Sequence, residues 1–80
     1  MRFWDSSAIL PLLVEETDTE RRKKQLIEDP LIVVWWGSKI ECVSALNRLL
    51  REGVLQENSF MQIVYKLETL ASSWVEIQAT

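Results

Sequence analysis

The sequence predicts an α/β domain built on a three-stranded parallel sheet. Helical patterns separate every pair of strand-like segments, which gives the order β-α-α-β-α-α-β. Parallel strands need crossover connections of this kind, and these connections are almost always right-handed. The central run at 31–36 is continuously apolar and rich in β-branched and aromatic residues, as is typical of a strand covered on both faces. Eighty residues, 48% of them apolar and with a net charge of −3, indicate one globular domain.

The first half of the chain contains a strand, two helices and the central strand. Residues 2–5 form a short aromatic strand that runs into a helix capped by Asp5 or by a following serine. Pro11 removes a hydrogen bond inside that helix, so we expect the helix to be short, kinked or late in starting. Residues 17–20 have the spacing of a capping box, which predicts a second, mostly solvated helix that stops at 29–30.

The second half continues with two more helices and a third strand. Gly37 breaks the central strand, and residues 38–41 again match a capping box. The helix that follows keeps an apolar period of 3.6 residues up to Gly53, which is a suitable residue for its C-terminal end. A fourth helix, capped within 58–59, has a broad apolar stripe, and residues 73–77 form the last strand.

Cysteine and histidine usage excludes several kinds of site. The chain has one cysteine, Cys42, and no histidine. Internal disulfides, zinc sites and Ser-His-Asp triads are therefore excluded. Cys42 lies in an apolar helical pattern, so we expect it to pack in the core. No apolar run reaches the roughly 18–20 residues of a membrane span, and polar residues interrupt the N-terminal apolar stretch. We therefore expect a cytoplasmic protein with no membrane partner.

Two acidic residues follow the carboxyl ends of the first two strands, where ligands of open parallel sheets bind. Asp5 ends the first strand, and Glu41 lies one turn into the helix after the second. If these strands are neighbours, their ends lie about 5 Å apart, and the two carboxylates could share a hard oxygen site for Mg²⁺. Spacing alone favours structural roles, with Asp5 as a helix cap and Glu41 as the acid of a capping box.

Two longer segments make the pattern more specific. Residues 3–16 contain Asp-Ser-Ser-Ala at the first strand end, and residues 33–48 contain Glu-Cys-Val-Ser-Ala-Leu-Asn-Arg after the second. In this order, the two segments resemble the PIN domain of VapC-type toxins, the ribonucleases of type II toxin-antitoxin systems. The similarity continues through 51–53 to the strand around 74–75. Residues 1–80 thus resemble the N-terminal part of a single PIN-like domain.

This resemblance implies a Mg²⁺-dependent ribonuclease in which a carboxylate cluster holds one or two metal ions. Asp5 matches the first metal-binding acid and Glu41 matches the second, so both are candidate catalytic residues. Ser6 matches the hydroxyl that supports the first acid. Arg48 lies on the same helix face as Glu41, where it could bind a phosphate or pair with a carboxylate, and both roles stay open.

The sequence departs from the family because the remaining acids of the family lie in a C-terminal half that does not follow here. We therefore expect Mg²⁺ or Mn²⁺ to bind weakly, and the chain alone to be a poor nuclease or none. The family implies RNA as substrate and a cognate antitoxin as partner. The alternative is a non-catalytic module for antitoxin binding or dimerisation.

The family also implies the arrangement of the sheet. Its strand order is 3-2-1, with four flanking helices in this part of the domain and further strands beyond the first strand. Without those strands, residues 2–5 would form an open edge. An open edge can pair with another chain, so we expect a homo-oligomer through this first strand.

Overall fold

The computed structural model describes residues 1–78 and contains the predicted elements in the predicted order. All strand pairs are parallel, and the strand order is β1-β2-β3. The α/β class, the three-stranded parallel sheet and the four helices are therefore confirmed. The elements are β1 (Arg2–Phe3), α1 (Ser6–Leu13), α2 (Thr19–Glu28), β2 (Ile32–Trp35), α3 (Ser38–Arg51), α4 (Glu57–Ala71) and β3 (Val75–Ile77).

The register of the sheet sorts the strand side chains onto two faces. Phe3, Val33 and Val75 form one row across the three strands, and Trp35 and Ile77 form the next row on the same face. We call the face that carries these two rows the outer face. Since side chains alternate along a strand, the residues between them point to the opposite, inner face.

The inner face carries the hydrophobic core. Its buried strand-side residues are Trp4, Ile32, Val34 and Trp74. The helices contribute Ile9, Leu12, Cys42, Leu46 and Leu67 to the same cluster. Cys42 is completely buried, which confirms the expectation that it packs in the core.

All four helices pack as one layer on the inner face. The crossovers from β1 to β2 and from β2 to β3 run in the same direction along the sheet, so right-handed connections place both helix pairs on one side. Contacts of α1 with α2, α3 and α4 agree with a single layer. The expectation that the central strand is covered on both faces is therefore wrong. Ile32 to Val34 are buried, whereas Trp35 is exposed.

The starts of the helices follow the predictions only in part. Asp5 caps α1, and the Pro11-containing helix is short, as expected, but it starts without delay. The other expected caps are wrong: the N-caps are Asp18 for α2, Gly37 for α3 and Gln56 for α4, and none makes a side-chain capping bond. Two of these caps already have helical backbone angles, a conformation in which a capping box does not form.

Candidate functional site

A groove of about 410 Å³ lies between α1 and α3, beside the carboxyl ends of β1 and β2. Both helices begin directly after parallel neighbouring strands, so their first turns meet at one edge of the sheet. The structure thus brings Ser6, Glu41 and Arg48, three of the four predicted site residues, to one groove. Its lining consists of Ser6, Ser7 and Leu10 from α1 and Ile40, Glu41, Ser44, Ala45 and Arg48 from α3.

Asp5, the fourth predicted residue, borders this groove through Ser7. Its Oδ2 atom accepts a hydrogen bond of 2.6 Å from the Ser7 hydroxyl and one of 3.2 Å from the Ser7 backbone N–H. These bonds favour the ionised carboxylate and lower the pKa of Asp5 from its ordinary value of 3.8. Asp5 is therefore charged at neutral pH and acts as the N-cap of α1.

Glu41 is held by an aromatic side chain instead of a capping box. Its Oε1 atom accepts a hydrogen bond of 3.2 Å from the indole Nε1 of Trp35. The indole lies against Gly37, where an added Cβ atom would come within 2.7 Å of the ring atoms Cζ2 and Cζ3 of Trp35. The glycine at the end of β2 therefore leaves the space in which the indole can reach Glu41.

The carboxylates of Asp5 and Glu41 both raise the pKa of one buried thiol, that of Cys42. Burial is the main cause that raises the pKa of Cys42 to about 11, and the negative charges of Glu41 and Asp5 raise it further. Cys42 directly follows Glu41 in the first turns of α3.

The oxygen donors of the groove suit a hard divalent cation, but they are few. Within residues 1–78, no group of three or more His, Cys, Asp or Glu side chains is placed to hold a metal ion. The site offers two carboxylates, from Asp5 and Glu41, and the hydroxyls of Ser6, Ser7 and Ser44. Mg²⁺ is commonly bound through one or two carboxylates while it keeps several waters. Carboxylate and hydroxyl oxygens are thus the ligand types at this edge, and they are types that Mg²⁺ and Mn²⁺ accept.

Arg48 provides a positive charge at the far end of the groove. It lies seven residues after Glu41 on α3, which corresponds to about 10 Å along the helix axis. The ion pairs formed within residues 1–78 do not include Arg48, so the salt bridge considered for this residue is not observed there. Its exposed guanidinium can therefore bind an anion such as a phosphate group.

The sequence predictions include Ser7 only among the residues after the first strand and as a possible helix cap, and they do not include Ser44 or Trp35. In the structure Ser7 donates to the cap, as a residue two positions after an Asp N-cap commonly does. Ser44 lies one helical turn after Glu41 on the same face, a relation that the sequence also contains. Trp35 gave no such signal, since its bond to Glu41 depends on how the indole folds over Gly37.

The chain matches no family model, no curated protein and no solved structure. In the part of the chain that the structure describes, none of the helices combines the length and the apolar character that crossing a membrane requires.

Proposed function

We propose that this chain is the N-terminal part of a PIN-like toxin of the VapC type, a metal-dependent ribonuclease, with Asp5 and Glu41 as metal ligands. The observation that supports this most strongly is the groove between α1 and α3. It gathers Ser6, Glu41 and Arg48 at the sheet edge where Asp5 ends the first strand.

The residues of the groove would divide the work of phosphodiester hydrolysis. A metal ion held by Asp5 and Glu41 would supply an activated water and neutralise charge on the phosphate. The indole of Trp35 and the hydroxyl of Ser7 orient the two carboxylates. Ser6 lines the same groove and would support the site through its hydroxyl, and Arg48 would bind an RNA phosphate on the far side. With two acids, neutralisation is incomplete, and the chain alone is a weak nuclease or none.

The partners proposed for this function are RNA, a cognate antitoxin and a second copy of the chain, all in the cytoplasm. The edge of β1 supports the pairing of two copies. The backbone N–H groups of Arg2 and Trp4 donate to the carbonyl oxygens of Leu31 and Val33. The N–H of Phe3, which lies between them, therefore points away from β2 towards the open edge of the sheet. Among residues 1–78, no strand pairs with that edge.

Metal binding by the 80-residue chain tests the proposed site. Mg²⁺ and Mn²⁺ are titrated into the wild-type protein and into an Asp5→Asn, Glu41→Gln double variant, with heat release and thermal stability as readouts. The matched control is Asp18→Asn, Glu57→Gln, which removes one Asp and one Glu at exposed positions of other elements. We expect weak binding by the wild type and the control, and no binding by the Asp5, Glu41 variant.

A second function is favoured by an apolar groove next to the first. This groove, of about 300 Å³, shares Leu10, Ala45 and Arg48 with the candidate site. Its further lining residues are Val14, Glu15, Glu16, Leu49 and Val54. Apolar grooves between helices accept the apolar face of a partner helix. If neither the wild type nor the double variant binds metal, the nuclease proposal fails for this chain, and a non-catalytic antitoxin-binding module becomes the better description.

A further inference from the structure

Each of the two carboxylates in the candidate site has one oxygen that already accepts hydrogen bonds from the protein. In Asp5 this oxygen is Oδ2, which accepts from the Ser7 hydroxyl at 2.6 Å and from the Ser7 backbone N–H at 3.2 Å. In Glu41 it is Oε1, which accepts from the Trp35 indole at 3.2 Å. These bonds leave Oδ1 of Asp5 and Oε2 of Glu41 open.

Local structure fixes the donors of these bonds. The Ser7 N–H belongs to the first turn of α1, so it stays beside the carboxylate that caps this helix. The Trp35 indole packs against Gly37, and its ring meets that of Trp36 at an angle of 71°, with the ring centroids 5.3 Å apart. The indole cannot turn away from Glu41 without loss of these contacts, so the same oxygen of each carboxylate stays engaged.

A hydrogen-bond donor at one carboxylate oxygen disfavours a cation at that same oxygen. A carboxylate oxygen has about two acceptor sites, and the two bonds from Ser7 fill both of them on Oδ2 of Asp5. At Oε1 of Glu41, the indole N–H brings the positive end of its dipole to the oxygen, which repels a cation there. Chelation of one ion by both oxygens of a carboxylate is therefore disfavoured in Asp5 and in Glu41.

Calcium and magnesium differ in how they use carboxylates. Ca²⁺ takes about 6–8 oxygen ligands and accepts carboxylates that chelate it, whereas the smaller Mg²⁺ requires nearly octahedral geometry and keeps several waters beside one or two carboxylates. We propose that Ser7 and Trp35 are positioning residues that leave one metal-binding oxygen on each carboxylate, and that the site therefore prefers Mg²⁺ to Ca²⁺. This inference rests on the proposed function, which assigns Asp5 and Glu41 to a metal ion.

Competition binding to the 80-residue chain tests this proposal. Bound Mn²⁺ is followed by electron paramagnetic resonance and is displaced by Mg²⁺ in one titration and by Ca²⁺ in another. The wild type should bind Mg²⁺ more tightly. In a Ser7→Ala, Trp35→Phe variant, which removes the hydroxyl and the indole N–H, we expect the ratio of Mg²⁺ affinity to Ca²⁺ affinity to fall about tenfold. The matched control is Ser59→Ala, Tyr65→Phe on α4, which does not line the groove, and it should keep the wild-type ratio.

Two further measurements separate positioning from a general effect on stability. Ser7→Thr retains a hydroxyl and should retain the wild-type ratio. In the metal-free protein, Glu41→Ala should move the indole N–H resonance of Trp35 but not that of Trp74, which bonds to another carboxylate. Circular dichroism checks that each variant is folded. If Trp35→Phe is not, Gly37→Ala takes its place, because the added Cβ would come within 2.7 Å of the indole ring and displace it.

Three results would overturn this inference alone: a wild type that binds Ca²⁺ as tightly as Mg²⁺, a folded double variant with the wild-type ratio, or an indole resonance of Trp35 that does not respond to Glu41→Ala. Each of them leaves the proposed metal site standing as long as the wild type binds Mn²⁺. A wild type that binds neither Mn²⁺ nor Mg²⁺ is a different result, since it overturns the proposed metal site and this inference with it.

Discussion

Asp5 joins local folding to the proposed chemistry at the scale of a single residue. The carboxylate that would bind a metal ion also caps α1, through two hydrogen bonds from Ser7 to one of its oxygens. A structural cap and a metal ligand are therefore not alternatives for this residue. The cap orients the carboxylate at the sheet edge before any ion is present.

The pH dependence of stability should reveal the bond between Ser7 and Asp5. The hydrogen bonds lower the folded-state pKa of Asp5 below 3.8, so their stabilisation is complete above pH 3.8 and is lost as the pH falls through the folded-state pKa. Ser7→Ala removes the hydroxyl donor, which is the largest cause of the shift. We expect the pKa of Asp5 to rise towards 3.8 and the stability difference from the wild type to shrink in acid.

Carboxyl titration by NMR measures this shift, and Asp29 provides an internal control. The pKa of Asp29 is lowered by the N-terminal amino group, which Ser7 does not touch. Its titration should be the same in both proteins. An unchanged Asp5 titration in Ser7→Ala would contradict the role of the hydroxyl.

The position at which helix α3 ends is determined by one residue, Gly53. Gly53 has a φ of 77°, in the left-handed region that favours glycine. The N–H of Gly53 bonds to the carbonyl oxygen of Leu50 at 3.2 Å, and the N–H of Val54 bonds to that of Leu49 at 3.0 Å. This pair of bonds is a Schellman motif, and it confirms the helix end that the sequence predicts.

Gly53→Ala should destabilise the protein by about 1 kcal/mol through backbone strain. An added Cβ would meet no atom within 4 Å, so steric crowding contributes nothing to this cost. Gly53→Asn should cost less, since asparagine tolerates the left-handed region. Urea denaturation measures these differences. Glu52→Ala, at a neighbouring exposed position with helical angles, is the control and should change stability by less than about 0.5 kcal/mol. An equal loss in Gly53→Ala and Glu52→Ala would argue against strain.

At the scale of the whole molecule, the fold is a two-layer arrangement of one sheet and one layer of helices. Cys42 lies between the layers, is completely buried and has a pKa of about 11. Its thiol can therefore react only when the layers separate.

Thiol labelling at pH 7.5 should report the opening of the whole domain. We expect Cys42 to react more than about a hundredfold more slowly in the native protein than in urea-unfolded protein, because the native thiol is both inaccessible and protonated. The reference is Ser44→Cys in a Cys42→Ala background, which places a thiol at an exposed position of the groove. Native Cys42 that reacts as fast as this reference would contradict a closed core.

The sequence by itself determined the features that depend on neighbouring residues or on periodicity. These features are the order of strands and helices, a polar cap for α1 at Asp5 or a following serine, the end of α3 at Gly53 and the burial of Cys42. Each of them rests on backbone conformation or on an apolar stripe, both of which a short segment contains. The positions of Glu41 and Arg48 on one face of α3 follow from the same periodicity.

Only the tertiary structure decided which surfaces meet. A continuous apolar run predicts burial of β2 but does not state how many faces are covered, because that depends on the side to which both crossovers turn. The exposure of Trp35 and the bare outer face follow from this choice. The bond from Trp35 to Glu41 likewise requires the indole to fold over Gly37, a contact between side chains that no spacing rule encodes.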